Sequence, residues 1–216
     1  SDGEVLAPTA DVVEEPTTGP QPLPPEPTLP TVEEDEAAPP PLPCVDWDAV
    51  YDDPTEALFQ PDCVVDVNIE MDPGNWNALR YQTRDIIDVF YSQCLTEPPR
   101  DVFDWFEADA LISGKQIYGI GIRKKGFYGS LSEDRPSLKL RFDRYVEGQR
   151  LAGAKRMTLN NMNQDPGIIN TCLAYKIMTD AGLPAPRCSF ARVHVNGEDL
   201  GLYAHVDAIK TAFLER

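Results

Sequence analysis

From Cys63 onward the chain alternates apolar and polar residues in short runs. Val65, Val67 and Ile69 take turns with Asp66, Asn68 and Glu70, which predicts a strand with one buried face. Asp72-Pro73 then predicts a helix start, with Asp as N-cap, Pro just inside, and Trp76, Leu79 and Arg80 at helical spacing. The acidic, aromatic stretch from Arg84 to Asp109 reads as helix-to-loop before a strand near 105–112. Ile117–Lys125 alternates again: Tyr118, Ile120 and Ile122 share one face, Arg123 and Lys125 the other. In Ser137–Asp143, Leu138, Leu140 and Phe142 point inward while Lys139 and Arg141 point outward together. A Gly/Ser loop, Gly126-Phe-Tyr-Gly-Ser130, joins the two as an antiparallel hairpin with a flexible tip.

Asp165-Pro166 opens the next helix, whose Ile168, Ile169, Cys172, Leu173 and Ile177 form one apolar stripe and which Gly182 and Pro184 stop. Ala191–Val195, an Asn196-Gly197 turn and Leu200–Val206 predict a hairpin. Strand, helix, basic strands, helix, hairpin is an α+β order with an antiparallel sheet and packed helices.

Composition changes the picture at the N-terminus. Residues 1–43 hold twelve of the 21 prolines, ten acids, no Lys or Arg and no aromatic residue. Such a segment buries too little apolar surface to offset ordering, so a disordered tail is expected, as a spacer rather than a ligand for a proline-recognition module. Residues 44–62 read as an acidic linker or edge segment, in which Asp46, Asp48, Asp52 and Asp53 lack the glycine-containing loop of a calcium site. The remaining 63–216 form the domain. With 42% hydrophobic residues in 216, one sizeable core is expected.

A net charge of −17 argues against a general nucleic-acid partner. No run approaches a membrane span. The opening Ser-Asp-Gly points either to a removed targeting peptide or to a start inside a longer chain. Five cysteines without a C-x-x-C pair favour disulfides in an oxidising compartment over zinc or buried thiols, with one left over. His194 and His205, eleven apart, have no partner at ligand spacing and read as ordinary side chains, so no metal site is expected.

Charge also singles out one region. Residues 115–156 carry eleven basic residues against four acids, inside an otherwise acidic protein. A basic strand face beside a glycine-containing loop suits a polyphosphate, because Lys and Arg neutralise charge and glycine lets backbone N–H groups approach the oxygens. The local motifs are incomplete. Gly119-x-Gly121 runs on to Gly126, too long a gap for G-x-G-x-x-G, and Phe127-Tyr128 stands where a P-loop needs Lys-Ser/Thr. A solvated strand face is the plainer account of the same residues.

Longer blocks carry more information. Arg123-Lys-Lys-Gly126 with Ser130, then Asp134-Arg-Pro-Ser-Leu-Lys-Leu-Arg-Phe-Asp-Arg-Tyr145, Gly148-Gln149 and Gly153 come in order. Leu159-Asn-Asn161, Asp165, Leu173-Ala-Tyr175, Ala181-Gly-Leu-Pro-Ala-Pro186 and Ala191-Arg-Val-His-Val-Asn-Gly-Glu198 to Gly201-Leu-Tyr203 follow. Over roughly ninety residues this resembles the CotH (spore coat protein H) kinase-like family. The resemblance implies the N-terminal lobe of an atypical, secretory-type protein kinase, using ATP and Mg²⁺ to phosphorylate Ser on extracellular or coat proteins, in a secreted or cell-envelope setting. The tail would then attach or space the domain from a surface.

Carried over residue by residue, Lys139 matches the strand lysine expected to contact ATP phosphates, with Arg141 beside it. Lys125, Gly126 and Ser130 match the loop that would cover them. Thr171 stands where many relatives carry Glu, and Val206-Asp207 replaces Val-Glu. The family's catalytic and metal-binding acids would lie beyond Arg216, so no catalytic base or magnesium ligand is named. The alternative is a non-catalytic, pseudokinase-type structural or surface-binding protein. A simple adhesion module would show no response to nucleotide.

Cys172 lies about 15 Å along the helix axis from the Gly182 stop, and Cys188 can run back about 20 Å, so a Cys172–Cys188 bridge is geometrically open. Some CotH-like sequences resemble this one in having both cysteines. Cys94 with Cys63 or Cys44 is the second candidate pair.

Overall fold

The computed structural model describes residues 44–85, 102–127 and 129–215; the expected tail over 1–43, most of the helix-to-loop reading before 102, and Cys94 lie outside them. Seven strands form a closed barrel: β1 (Val64–Glu70), β2 (Phe106–Ile112), β3 (Lys115–Lys125), β4 (Ser137–Arg141), β5 (Arg156–Asn160), β6 (Cys188–Val195) and β7 (Glu198–Val206). Their order around the ring is β1-β2-β3-β4-β5-β7-β6. Among the described residues, three helices flank it: α1 (Pro73–Arg80), α2 (Asn170–Asp180) and α3 (Thr211–Glu215).

The purely antiparallel sheet expected from the sequence is corrected here. β1 pairs with β6 in parallel, Val64 opposite Phe190 through Ile69 opposite Val195, and every other neighbouring pair is antiparallel. An odd number of strands cannot close a ring with every neighbour reversed, so one parallel seam is obligatory. Closure leaves no unpaired sheet edge. The fold is sheet-rich, with few helices.

Alternation does what it predicts in β1, where Val65, Val67 and Ile69 are fully buried, and in Leu138, Leu140 and Phe142 of β4 and its end. In β3 it breaks. Ile120 pairs with Ala108 and Ile117 with Ala110, so three steps on β3 match two on β2. Gly119, at φ +62°, takes up the extra residue and donates its N–H to Asp109 Oδ1 at 2.8 Å. Across this bulge the phase flips: Ile117 turns in, and Tyr118, expected on the Ile120–Ile122 face, is exposed. Lys124 stays in phase with Ile120 and Ile122 and is buried, its ammonium donating to Arg80 O at the C-terminal end of α1 at 2.5 Å.

Asp72 caps α1 as expected, accepting from Asn75 N at 2.8 Å, and Trp76 and Leu79 are buried. The second helix differs from its reading in two respects. It begins at Asn170 rather than behind Asp165, because Ile168 at φ +57° interrupts the turn before it. Its stripe also faces out. Ile169, Leu173 and Ile177 are about half exposed and no residue of α2 is buried. Strand side chains already fill the closed barrel, so the helix lies outside on β6. Gly182, at φ +74°, ends it, with Leu183 N donating to Met178 O and Gly182 N to Thr179 O.

The Cys172–Cys188 bridge is present and ties α2 to the start of β6. Cys63 is bonded to Cys44, which corrects the proposed pairing of either with Cys94. Residues 44–62 also contribute to the core through Val45, Ala57 and Leu58, the last two in a 3-10 turn over Pro54–Leu58. The Asn196-Gly197 turn, with both residues at positive φ, joins β6 to β7.

Candidate functional site

The outward residues of β3, β4 and β5 meet in register. Arg123 lies opposite Lys139, and Lys139 opposite Thr158; Lys125 pairs with Ser137, and Arg141 with Arg156. All five cations are half-buried on one continuous strip. The strip has a cavity at each end.

At the Lys125 end is a cavity of about 340 Å³, lined by Lys125, Gly126, Ser130, Asn161, Asp165 and Thr171 among others. The Lys125 ammonium donates to Asn160 Oδ1. Burial, and after it the positive charge of Lys139, push Lys125 down to about 8. The β3–β4 loop above the cavity is fastened from within. Ser130 Oγ accepts from Phe127 N and donates to Phe127 O, both at 2.9 Å. On the opposite wall, Asp165 is buried and holds the start of α2, accepting from Asn170 N and Asn170 Nδ2 at 2.8 Å and from Gly167 N at 3.2 Å.

Lys125, Gly126 and Ser130 are thus together. Lys139 is one strand away, near enough for its charge to be felt at Lys125. Arg141 is engaged elsewhere: its Nε donates to Asp143 Oδ1 at 2.8 Å, and Asp143 also takes Lys155 at 2.6 Å and Arg150 at 3.6 Å. Desolvation pushes the Asp143 carboxyl up, yet the hydrogen bonds from Arg141 and Lys155 prevail and hold it at about 2. Thr171 lines the Lys125 cavity, and the strand leading into α2 is β5, not the strand that carries Lys139.

The second cavity, about 500 Å³, escaped the sequence reading. It lies at the Arg156 end, between the Pro54–Leu58 turn and the end of β7. Arg187 organises it, donating to Asp53 Oδ2 at 3.1 Å, Asp207 Oδ2 at 3.2 Å and Thr55 Oγ1 at 2.7 Å, with its guanidinium 4.4 Å from the Phe59 ring centre. His205 stacks on Phe59 at 4.3 Å with Nδ1 3.2 Å from Leu58 O, and burial pushes it down to about 4. Asp53, Thr55 and Leu58 lie more than 130 positions from the residues they bind here, and no local pattern announces them. His194 instead sits between Asp66 and Asp199, at 3.8 and 3.6 Å. Among the described residues no group of three His, Cys, Asp or Glu is placed to hold a metal.

Every block that carries the sequence resemblance lies on β3 to β7 and their connections, and Lys125, Gly126, Ser130, Asn161 and Asp165 among them line the first cavity. Residues 122–216 match the family model described as CotH kinase protein. No curated protein matches the chain. The matched segment begins in β3 and takes in β4 to β7, α2 and the basic strip. The strands before it, β1 and β2, complete the barrel. Of the described residues, no helix is long and apolar enough to cross a membrane.

Proposed function

We propose that the basic strip is a polyphosphate site and that the CotH segment is the nucleotide-binding part of an exported atypical kinase, transferring phosphate from ATP to Ser of extracellular or coat proteins. One observation supports this most. Two ammonium groups, on Lys125 and Lys139, are held on adjoining strands, Lys125 in the cavity that Gly126 and Ser130 also line, and burial first and then the Lys139 charge lower the Lys125 pKa. A bound phosphate would offset the Lys139 repulsion and favour the charged form of Lys125.

Each residue then has a task. Lys125 and Lys139 neutralise phosphate oxygens as point charges. Gly126, at φ +143°, lets the backbone approach where a side chain would crowd Ser130 and Leu131. Ser130 shapes the turn through its bonds to Phe127. Arg141 adds field from within its Asp143 network. Mg²⁺-ATP would supply the transferable phosphoryl group. Two disulfides are consistent with an oxidising compartment outside the cytoplasm, and residues 1–43 would serve as a spacer from a surface.

One observation favours a non-catalytic surface or structural relative. The cavity presents the Thr171 hydroxyl where a helix carboxylate would tether a phosphate-binding lysine, and Lys125 is tied to an amide instead.

The test is a thermal shift with Mg²⁺-ATP on the wild type and on Lys139→Ala. A ligand at a hundred times Kd adds about 2.7 kcal/mol. A shift that Lys139→Ala loses is expected. No shift in either protein defeats the reading, and a shift without phosphate transfer to any Ser-containing substrate selects the non-catalytic alternative.

A further inference from the structure

The loop between β3 and β4 owes its shape to a residue outside it. Asn161, in the connection from β5 to α2, is buried, and its amide Nδ2 donates to Ser130 O at 3.1 Å and to Arg135 O at 2.7 Å. One NH₂ group therefore joins two carbonyls five residues apart. Two further polar groups are used as well: Oδ1 accepts from Asn163 N at 3.2 Å, and the backbone N donates to Ser137 Oγ at 2.9 Å. Asn163 adds a second tie, donating to Gly129 O at 3.2 Å.

The two carbonyls that Asn161 joins differ in how they are held. The Arg135–Pro136 end is fixed to β7: Arg135 donates to Leu202 O, its guanidinium lies 5.2 Å from the Tyr203 ring centre, and Tyr203 Oη donates to Pro136 O at 3.1 Å. The Gly126–Ser130 end has no such tie to a strand among its described hydrogen bonds. Its outward bonds run to Asn161 and Asn163. Asn161 therefore transmits the fixed position of one end to the other, which roofs the Lys125 cavity.

We infer that Asn161 is a positioning residue that holds the Gly126–Ser130 turn over the Lys125 cavity, so that the roof is set before an anion enters. This rests on the polyphosphate reading above. A preset roof saves the ordering of a loop on binding, and the saving appears as affinity. Asn161→Asp keeps the shape but replaces the donor with an acceptor facing two carbonyls, so the turn should be released. Asn163→Ala, at an exposed position, removes the outer tie together with an amide that lines the cavity, and threatens folding far less.

The experiment measures hydrogen exchange over residues 126–136 and the Kd for Mg²⁺-ATP and for inorganic tripolyphosphate, in wild type, Asn161→Asp, Asn163→Ala and a control, Val193→Ala. The control empties core on β6, away from the cavity. Expected are about tenfold faster exchange in 126–136, with β4 and β5 unchanged, and about tenfold weaker binding of both ligands for Asn161→Asp. Asn163→Ala should show a smaller change in the same direction, and Val193→Ala lower stability with unaltered Kd. Faster loop exchange with unchanged Kd overturns the positioning role, as does unchanged exchange in both loop variants. Absence of binding in the wild type overturns the polyphosphate reading itself, while exchange still decides whether Asn161 holds the loop. If Asn161→Asp fails to fold, Asn163→Ala decides alone.

Discussion

Keeping Lys125 charged costs the fold stability, and the cost is measurable. Burial and the Lys139 charge lower its pKa from the ordinary 10.5 to about 8. At pH 7 this difference amounts to about 3 kcal/mol against folding. Lys125→Met removes the charge and keeps the apolar stem. It also breaks the bond to Asn160, worth about 1 kcal/mol. The variant should therefore be more stable than wild type at pH 7 by about 2 kcal/mol, or about 4–8 °C in melting temperature for a chain of this size. The sign with pH follows from proton counts. Between pH 8 and 10.5 the unfolded chain binds more protons than the folded one, so wild-type stability climbs with pH across that window. The advantage of Met should be full below pH 8 and largely gone near 10.5. Urea unfolding of both proteins at pH 7 and pH 10 measures it. A variant less stable at pH 7, or an advantage equal at the two pH values, would refute the reasoning. Anion binding should run the other way, weakening as pH rises through 8 while Lys125 loses its proton. A charge kept where it destabilises points to use rather than to packing.

The remaining predictions concern the helix and the second cavity. Cys172→Ser with Cys188→Ser opens a clamp with a sequence separation of 16, worth about 3 kcal/mol. Since α2 buries no residue, the loss should be local: amide exchange in 170–180 should accelerate about a hundredfold with the barrel unaffected, and equal acceleration in β4 would contradict it. His205, held by burial at about 4 against an ordinary 6.5, takes up its proton later than the unfolded chain as pH falls. Stability is whole above pH 6.5 and is lost as pH falls toward 4, by about 2 kcal/mol between pH 7 and 4.5. His205→Gln should flatten that acid limb in urea midpoints, and an unchanged slope would place the lability elsewhere.

Much of this protein is local and could be read from the chain. Alternation located β1 and β4 because side chains on a strand face opposite ways at each step, whatever surrounds them. Asp72-Pro73 and Asn196-Gly197 mark their turns through backbone geometry that Asp, Pro, Asn and Gly satisfy on their own. The ordered blocks from Arg123 to Tyr203 resembled the family whose model matches residues 122–216, and reach along a helix and strand left the Cys172–Cys188 bridge open, as the same resemblance suggested. Lys125, Gly126 and Ser130 line one cavity because they are neighbours in sequence.

Tertiary structure decided the rest. The parallel β1–β6 seam is a property of closing seven strands and belongs to no single strand. The bulge at Gly119, which turns Tyr118 out and keeps Lys124 in, depends on what β2 presents opposite. The stripe on α2 has core-like periodicity, yet the closed barrel leaves it no core to enter. Arg187 and His205 share a cavity with partners more than a hundred residues away, and Asn161 holds a loop from outside it. Periodicity and capping are fixed by adjacent residues. Registers, seams and side-chain partners form only when distant segments meet, and one sequence read along its length carries no record of which segments those are.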